Sequence, residues 1–201
     1  MGRQSGAGIV YSTVDVKKWA EEVPTVDAVR PGCCSQCGAA SRPLGASLVL
    51  VGHGVRERQV RGPAAVGRTP ELRTLWVRRY RCKLCRGVTT VLPRGLTARR
   101  HYSASAIGLA LFLYGLGGMS LGQTRHQVCA WKLSFAPERW TTLSTWVAAI
   151  QHGRLFTRVR PSPSSFTLRE RAGRAAATLS GLALDTGSLG GRAFEGAALA
   201  A

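Results

Sequence analysis

Four cysteines carry the clearest chemistry in this 201-residue chain. Cys34 and Cys37 bracket Ser35-Gln36, Cys82 and Cys85 bracket Lys83-Leu84, and 44 residues separate the two C-x2-C pairs. Each pair can form a knuckle, a turn whose two thiolates converge on one ion, and two knuckles complete a tetrahedral Zn(II) site. Such a site leaves no position for water, so the zinc is expected to be structural and its binding energy to help fold a small sheet. A redox dithiol is the competing chemistry, but a redox C-x2-C opens a helix, whereas both pairs here adjoin strand patterns. Cys33 offers a competing x3 spacing to Cys37, so Cys33 and Cys34 both stand as the first ligand, with Gly38 favouring Cys34. Cys129 reads as a small buried hydrophobe, and His53 as a turn residue or phosphate contact.

The separation exceeds the roughly 15 to 20 residues common between such pairs, so strands must bring the chain back. Leu48 to Val51 is a short apolar run, Gly52-His53-Gly54 reads as a turn, and Val55 to Arg61 resumes as a polar strand, together a hairpin. Residues 62–70 form a Gly, Pro and Ala connection. Leu72 to Arg81 then reads as a strand feeding the second pair, and Val88 to Leu92 as another, closed by Pro93. Before the cysteines, Ile9 to Val16 predicts a short strand or a loosely held arm.

Past His101 the apolar period becomes helical. Ser103 is positioned to cap a helix to Gly115, Ser120 a second to about Trp131, and Thr141 or Thr142 a third to His152-Gly153. The first two, with Gly117-Gly118 between them, have the punctuation of a helix-turn-helix. Gln123, Arg125, His126 and Gln127 are the polar residues that such a second helix offers to bases or phosphates; Ser144, Thr145 and Gln151 are candidates on the third, with Trp140 and Trp146 in the core. Residues 160–165 read as a linker, Leu168 to Leu184 as an Ala-rich helix, and the Gly- and Ala-rich end as a mobile tail. The expected organisation is an N-terminal arm (1–29), a zinc ribbon (30–100), a helix-turn-helix-like segment (101–157), and a linker, helix and tail (158–201), an α+β chain with short antiparallel strands.

Charge points to the partner. The chain carries 28 Lys and Arg against 10 Asp and Glu, a formal +18, and residues 54–101 hold 13 of the basic groups and two of the acidic ones. A binding face concentrates charge where a merely solvated surface spreads it, and Arg, which far outnumbers Lys, suits phosphates and guanine edges. The expected contacts are Arg56, Arg58, Arg61, Arg78, Arg79, Arg81, Arg99 and Arg100, joined by Gln123, Arg125 and Gln127. The run from Ala104 to Met119 is shorter than the roughly 18 residues needed to span lipid, and no signal-peptide pattern precedes it, so neither a membrane partner nor secretion is expected.

Cys34-x2-Cys37-Gly38, Leu50-Val51-Gly52-His53-Gly54-x-Arg56-x-Arg58-x-Val60-Arg61-Gly62, Val77-Arg78-Arg79-Tyr80-Arg81-Cys82-x2-Cys85, Val91-Leu92-Pro93 and His101-Tyr102-Ser103 resemble a family of bacterial zinc-ribbon proteins with a following helix-turn-helix, similar to the N-terminal DNA-binding regions of insertion-sequence transposases. The resemblance spans about residues 30–155. It implies ligands at Cys34, Cys37, Cys82 and Cys85 and a role in mobile-element DNA recognition, but no activity. A transposase nuclease of the RNase H type needs three positioned carboxylates for two metal ions. Residues 102–201 offer only Glu138, Glu170, Asp185 and Glu195, so no enzyme is expected.

The leading reading is a DNA-binding protein of duplex DNA, working alone or with a separate transposase subunit, in the cytoplasm on the nucleoid. The runner-up is an RNA-associated zinc ribbon of the translation or transcription machinery, with Trp76 and Tyr80 as stacking surfaces.

Overall fold

A computed structural model describes residues 8–129, 140–184 and 186–201. The fold is α+β, in the order β1 (Gly8–Asp15), α1 (Val16–Glu21), β2 (Leu50–Gly62), β3 (Glu71–Cys82), β4 (Val88–Arg94), α2 (Ala104–Gly115), α3 (Leu121–Val128), α4 (Thr142–Gln151), α5 (Leu168–Ser180) and α6 (Leu189–Leu199). The strands make one mixed sheet in the order β1-β4-β3-β2. Two compact units emerge. One holds the described residues up to Arg58 plus Thr74–Arg94, and the other Gln59–Arg73 plus the described residues from Gly95 onward. The division cuts across the expected ribbon, because β2 and β3 each contribute residues to both units.

In the first unit β4 is the shared partner. It pairs parallel with β1, Ile9 opposite Thr90 and Tyr11 opposite Leu92, and antiparallel with β3, Arg79 opposite Thr90 and Arg81 opposite Val88. Parallel pairing of segments far apart in sequence has no local signal, which is why β1 read equally well as an arm. It is held by α1, whose N-cap Asp15 accepts from the Lys17 N–H and whose Trp19 is buried and donates its indole N–H to the Trp76 carbonyl at 2.9 Å. Trp19, Val29, Val49, Leu50, Tyr80 and Val91 form the core on that side, together with Cys34 and Cys82.

The expected hairpin at Gly52-His53-Gly54 is absent. β2 runs straight through these residues and reverses instead across the eight-residue connection to β3. Gly54 takes φ +74° inside the strand, and a Cβ on Gly52 would stand 3.0 Å from the Val26 side chain. Both glycines therefore serve a local distortion and a close contact, uses a sequence cannot separate from a turn. Eight residues are too few to recross strands of about 40 Å, so β2 and β3 run antiparallel.

The second unit is built on α2. Ser103 caps it as expected, accepting from the Ala106 N–H, and the helix is buried nearly all round. Helices α5 and α6 approach it through small residues. A Cβ on Gly108 would lie 2.4 Å from the Ala193 carbonyl oxygen and one on Gly115 2.2 Å from the Gly173 nitrogen, while one on Gly196 of α6 would lie 1.8 Å from the Leu179 oxygen of α5. The end of the chain is thus a packed helix rather than a mobile tail. Its glycines and alanines let backbones touch. The Ala-rich helix stops at Ser180, four residues earlier than expected. Trp140 and Trp146 are buried as anticipated, edge to face at 5.5 Å. Among the described residues no helix is long and apolar enough to cross a membrane.

Candidate metal centre

The two cysteine turns have the same backbone plan. In the first, the Cys34 N–H donates to the Ala39 carbonyl and the Gly38 N–H returns to the Cys34 carbonyl; in the second, the Cys82 N–H donates to Gly87 and the Arg86 N–H to Cys82. The residue after each second cysteine is left-handed, Gly38 at φ +72° and Arg86 at φ +64°. A left-handed non-glycine residue costs about 1–2 kcal/mol, partly offset in any glycine replacement by greater freedom of the unfolded chain. Arg86→Gly is therefore expected to stabilise the first unit by up to about 1 kcal/mol, read as a higher midpoint of thermal unfolding. A lower midpoint contradicts this account of the turn.

The turns interlock. Ser35 Oγ lies 2.8 Å from Thr89 Oγ1 on β4. A Cβ on Gly8 would fall 1.9 Å from Ser35 Oγ, and one on Gly87 2.2 Å from Gln36 Oε1, so both glycines make room for the residues inside the first knuckle. Neither glycine was singled out from sequence; for Gly87 its place two residues past Cys85 was the available signal.

The result is a convergence of four sulfurs. Cys34 Sγ lies 3.7 Å from Cys85 Sγ and Cys37 Sγ 3.8 Å from Cys82 Sγ, and all four lie within 4.8 Å of one another, an arrangement that can hold a metal ion. Cys34 and Cys82 are buried, while Cys37 and Cys85 are exposed. Cys33 lies outside the cluster: it is exposed and bridges Ala40, and consecutive residues in extended chain point to opposite sides.

Electrostatics push Cys34 and Cys85 in opposite directions. Burial raises Cys34, but N–H groups of Cys37 and Gln36 and the neighbouring sulfurs outweigh it and bring it down to about 7. At Cys85 the Gly87 N–H favours the thiolate, yet burial and the sulfurs of Cys37, Cys34 and Cys82 push it up to about 12. Four thiolates this close repel one another, so full ionisation near neutral pH requires a cation among them.

The arginines expected to form one face do not share one. Alternation along β3 puts Arg79 and Arg81 on one side and Arg78 on the other with Tyr80 and Cys82. Arg78 donates from Nε to the Pro24 carbonyl at 2.8 Å, and Tyr80 donates to the Val26 carbonyl at 2.6 Å. Arg30, not singled out from sequence, stacks over the Tyr80 ring at 5.5 Å and pairs with Asp27, whose carboxyl it holds below the usual range. Arg56 is exposed and Arg58 half-buried. Burial lowers Arg58, opposed by the Tyr11 hydroxyl and seconded by the Arg56 charge.

Apart from His53, which lies in the first unit, the remaining described candidates belong to the second unit. Arg61 exchanges backbone bonds with His101 and Ser103; Arg99 is exposed and Arg100 half-buried. On α3, which ends at Val128 with Cys129 as its C-cap, Gln123 is engaged in a capping box, accepting from the Ser120 N–H at 2.8 Å while Ser120 accepts from Gln123 at 3.2 Å. Arg125 is half-buried, and His126 and Gln127 are exposed. Trp131 and Glu138 lie outside the described residues, as does Asp185. On α4, Ser144 and Thr145 donate back to the Thr141 carbonyl, and Gln151 accepts from the Ser162 N–H. His53 is half-buried within β2 and outside the sulfur cluster.

No protein-family model, curated protein or solved structure matches the chain.

Proposed function

We propose that this chain is a zinc-dependent duplex-DNA-binding protein of the transposase-related kind, without a catalytic domain of its own, in which a structural zinc holds an arginine-bearing sheet in shape. The observation that carries the proposal is the sulfur cluster. A tetrahedron of sulfurs around zinc at about 2.3 Å has edges of about 3.8 Å, and two of the sulfur pairs lie at 3.7 and 3.8 Å. Four sulfurs fill the coordination shell, so the ion would polarise no water, and its role would be to tie β3 and β4 to the Cys34 loop. Zinc also fits the softness of thiolate donors. The +18 net charge supports a polyanionic partner, and the arginine-rich strands support phosphate contact.

The helix pair α2 and α3 is read as the helix-turn-helix of this scheme, and a nucleoid location follows from the partner. Binding of a random-sequence duplex pool by the purified chain tests the reading, with structured RNA as competitor at matched salt. Duplex affinity is expected to fall steeply with added salt, because each phosphate contact releases about 0.9 counterion. A flat salt response, or preference for the RNA, overturns it. Recovery of an inverted repeat from the bound pool would support the mobile-element part.

A further inference from the structure

Most arginines whose contacts are visible in the first unit are already committed. Arg30 and Arg42 pair with Asp27, Arg94 lies 4.0 Å from Asp15, and Arg78 holds the Pro24 carbonyl. Among the described residues neither Arg79 nor Arg81 pairs with a carboxylate. These two share a side of the sheet. Register sets Arg79 beside Thr90 and Ile9, and Arg81 beside Val88, with Tyr11 beside Leu92 on the same side. The opposite side is filled by Trp19, Tyr80 and the buried cysteines. Leu75, Val77 and Leu92 are buried toward one end of the Arg79 side, whereas Arg79 and Arg81 are half-buried and Tyr11 is 47% exposed.

We infer that the sheet side carrying Arg79 and Arg81, with Tyr11 beside them, is the surface that grips the DNA phosphates, and that Arg78 is a structural residue only. The inference rests on the duplex-DNA reading above and assigns its contact surface. Residues two apart on a strand are about 6.7 Å apart, close to the roughly 6.5 Å between adjacent phosphates of one strand, whose rise of about 3.4 Å along the duplex axis is combined with the turn around it. Two guanidinium groups at that spacing suit neighbouring phosphates of one strand. Such contacts position the protein and carry no sequence preference. The side chains of Gln123, Ser144 and Thr145 are exposed but hydrogen-bonded to backbone groups at the starts of their own helices, and Gln151 accepts from the Ser162 N–H, so these four are already committed.

The test is the salt dependence of binding to the random-sequence duplex pool, measured on the full chain with zinc content and thermal transition recorded for every variant. Arg79→Ala and Arg81→Ala are each expected to lower the slope of log affinity against log salt by about 0.9, and the double variant by about 1.8. Between 50 and 200 mM salt the double variant would then lose roughly tenfold less affinity than the parent. Arg79→Lys with Arg81→Lys keeps the parental slope, since the slope counts charges. Arg78→Ala keeps the slope while lowering the thermal transition. A parental slope in folded Arg79→Ala and Arg81→Ala, with the parent binding duplex normally, overturns this inference and leaves the duplex reading standing. A parent that binds no duplex overturns both. If the double variant loses its thermal transition, the single variants decide by the same criterion.

Discussion

Cys82→Ser is expected to abolish stoichiometric zinc binding and unfold the sheet-bearing unit at ambient temperature. Cys82 is buried at the end of β3, and its sulfur closes the cluster against Cys37 at 3.8 Å. Zinc binding in small metal-folded units supplies about 10–16 kcal/mol, as large as the roughly 5–15 kcal/mol net stability of a whole domain. Loss of one ligand also leaves three thiols crowded without the ion that relieves their repulsion. Circular dichroism melting with zinc analysis reads the effect. A Cys129→Ser variant serves as reference, because Cys129 caps α3 outside the cluster and should leave zinc content unchanged. A Cys82→Ser chain that melts as the parent does would contradict the account, and so would zinc loss in Cys129→Ser.

Acid acts on the same site. Cys34 is held below the ordinary thiol value, so the stability its thiolate adds is full above the unfolded thiol range, near 8.5, and is lost as pH falls through about 7. Cys85, pushed up to about 12, must release its proton when metal binds. Metal affinity is therefore expected to rise with pH, steeply below neutrality, and a chelator should strip the ion more readily at pH 6 than at pH 8.

The second large effect lies in the helical unit. Gly196→Val is expected to destabilise it by about 3 kcal/mol or more, a fall of roughly 10–20 °C in its melting transition. The new Cβ would sit 1.8 Å from the Leu179 carbonyl oxygen, with the Ala183 nitrogen at 3.2 Å, and these are backbone atoms of and just beyond α5 that cannot rotate away. Gly181→Ala is the matched reference. Its Cβ would meet nothing closer than 3.4 Å and its φ is −71°, so it should be neutral or slightly stabilising. Equal melting of Gly196→Val and the parent would contradict the packing described for α5 and α6.

These glycines also show where reading the sequence stops. A glycine is chosen for a turn, for a left-handed residue or for close approach of two backbones, and only the neighbour's identity separates the three. Gly52 and Gly54 read as a turn and sit in a strand; Gly190, Gly191 and Gly196 read as a mobile tail and sit in a helix. Local chemistry was more legible. Ser103 and Ser120 cap the helices they were expected to cap, and the cysteine spacing identified the four residues that converge, because caps and knuckles are set by residues within a few positions of one another. The parallel pairing of β1 with β4 depends on residues about 80 apart and left no trace beyond an apolar run. The arginines are an intermediate case. Alternation along β3 was available from the start and separates Arg78 from Arg79 and Arg81, but a count of charge alone treats them as one patch.

X-ray absorption at the zinc edge of the chain as purified addresses the sulfur cluster itself. Four sulfur neighbours at about 2.3 Å, at one zinc per chain, are the expected spectrum. A shell containing nitrogen or oxygen, or a folded chain with no zinc, would contradict it.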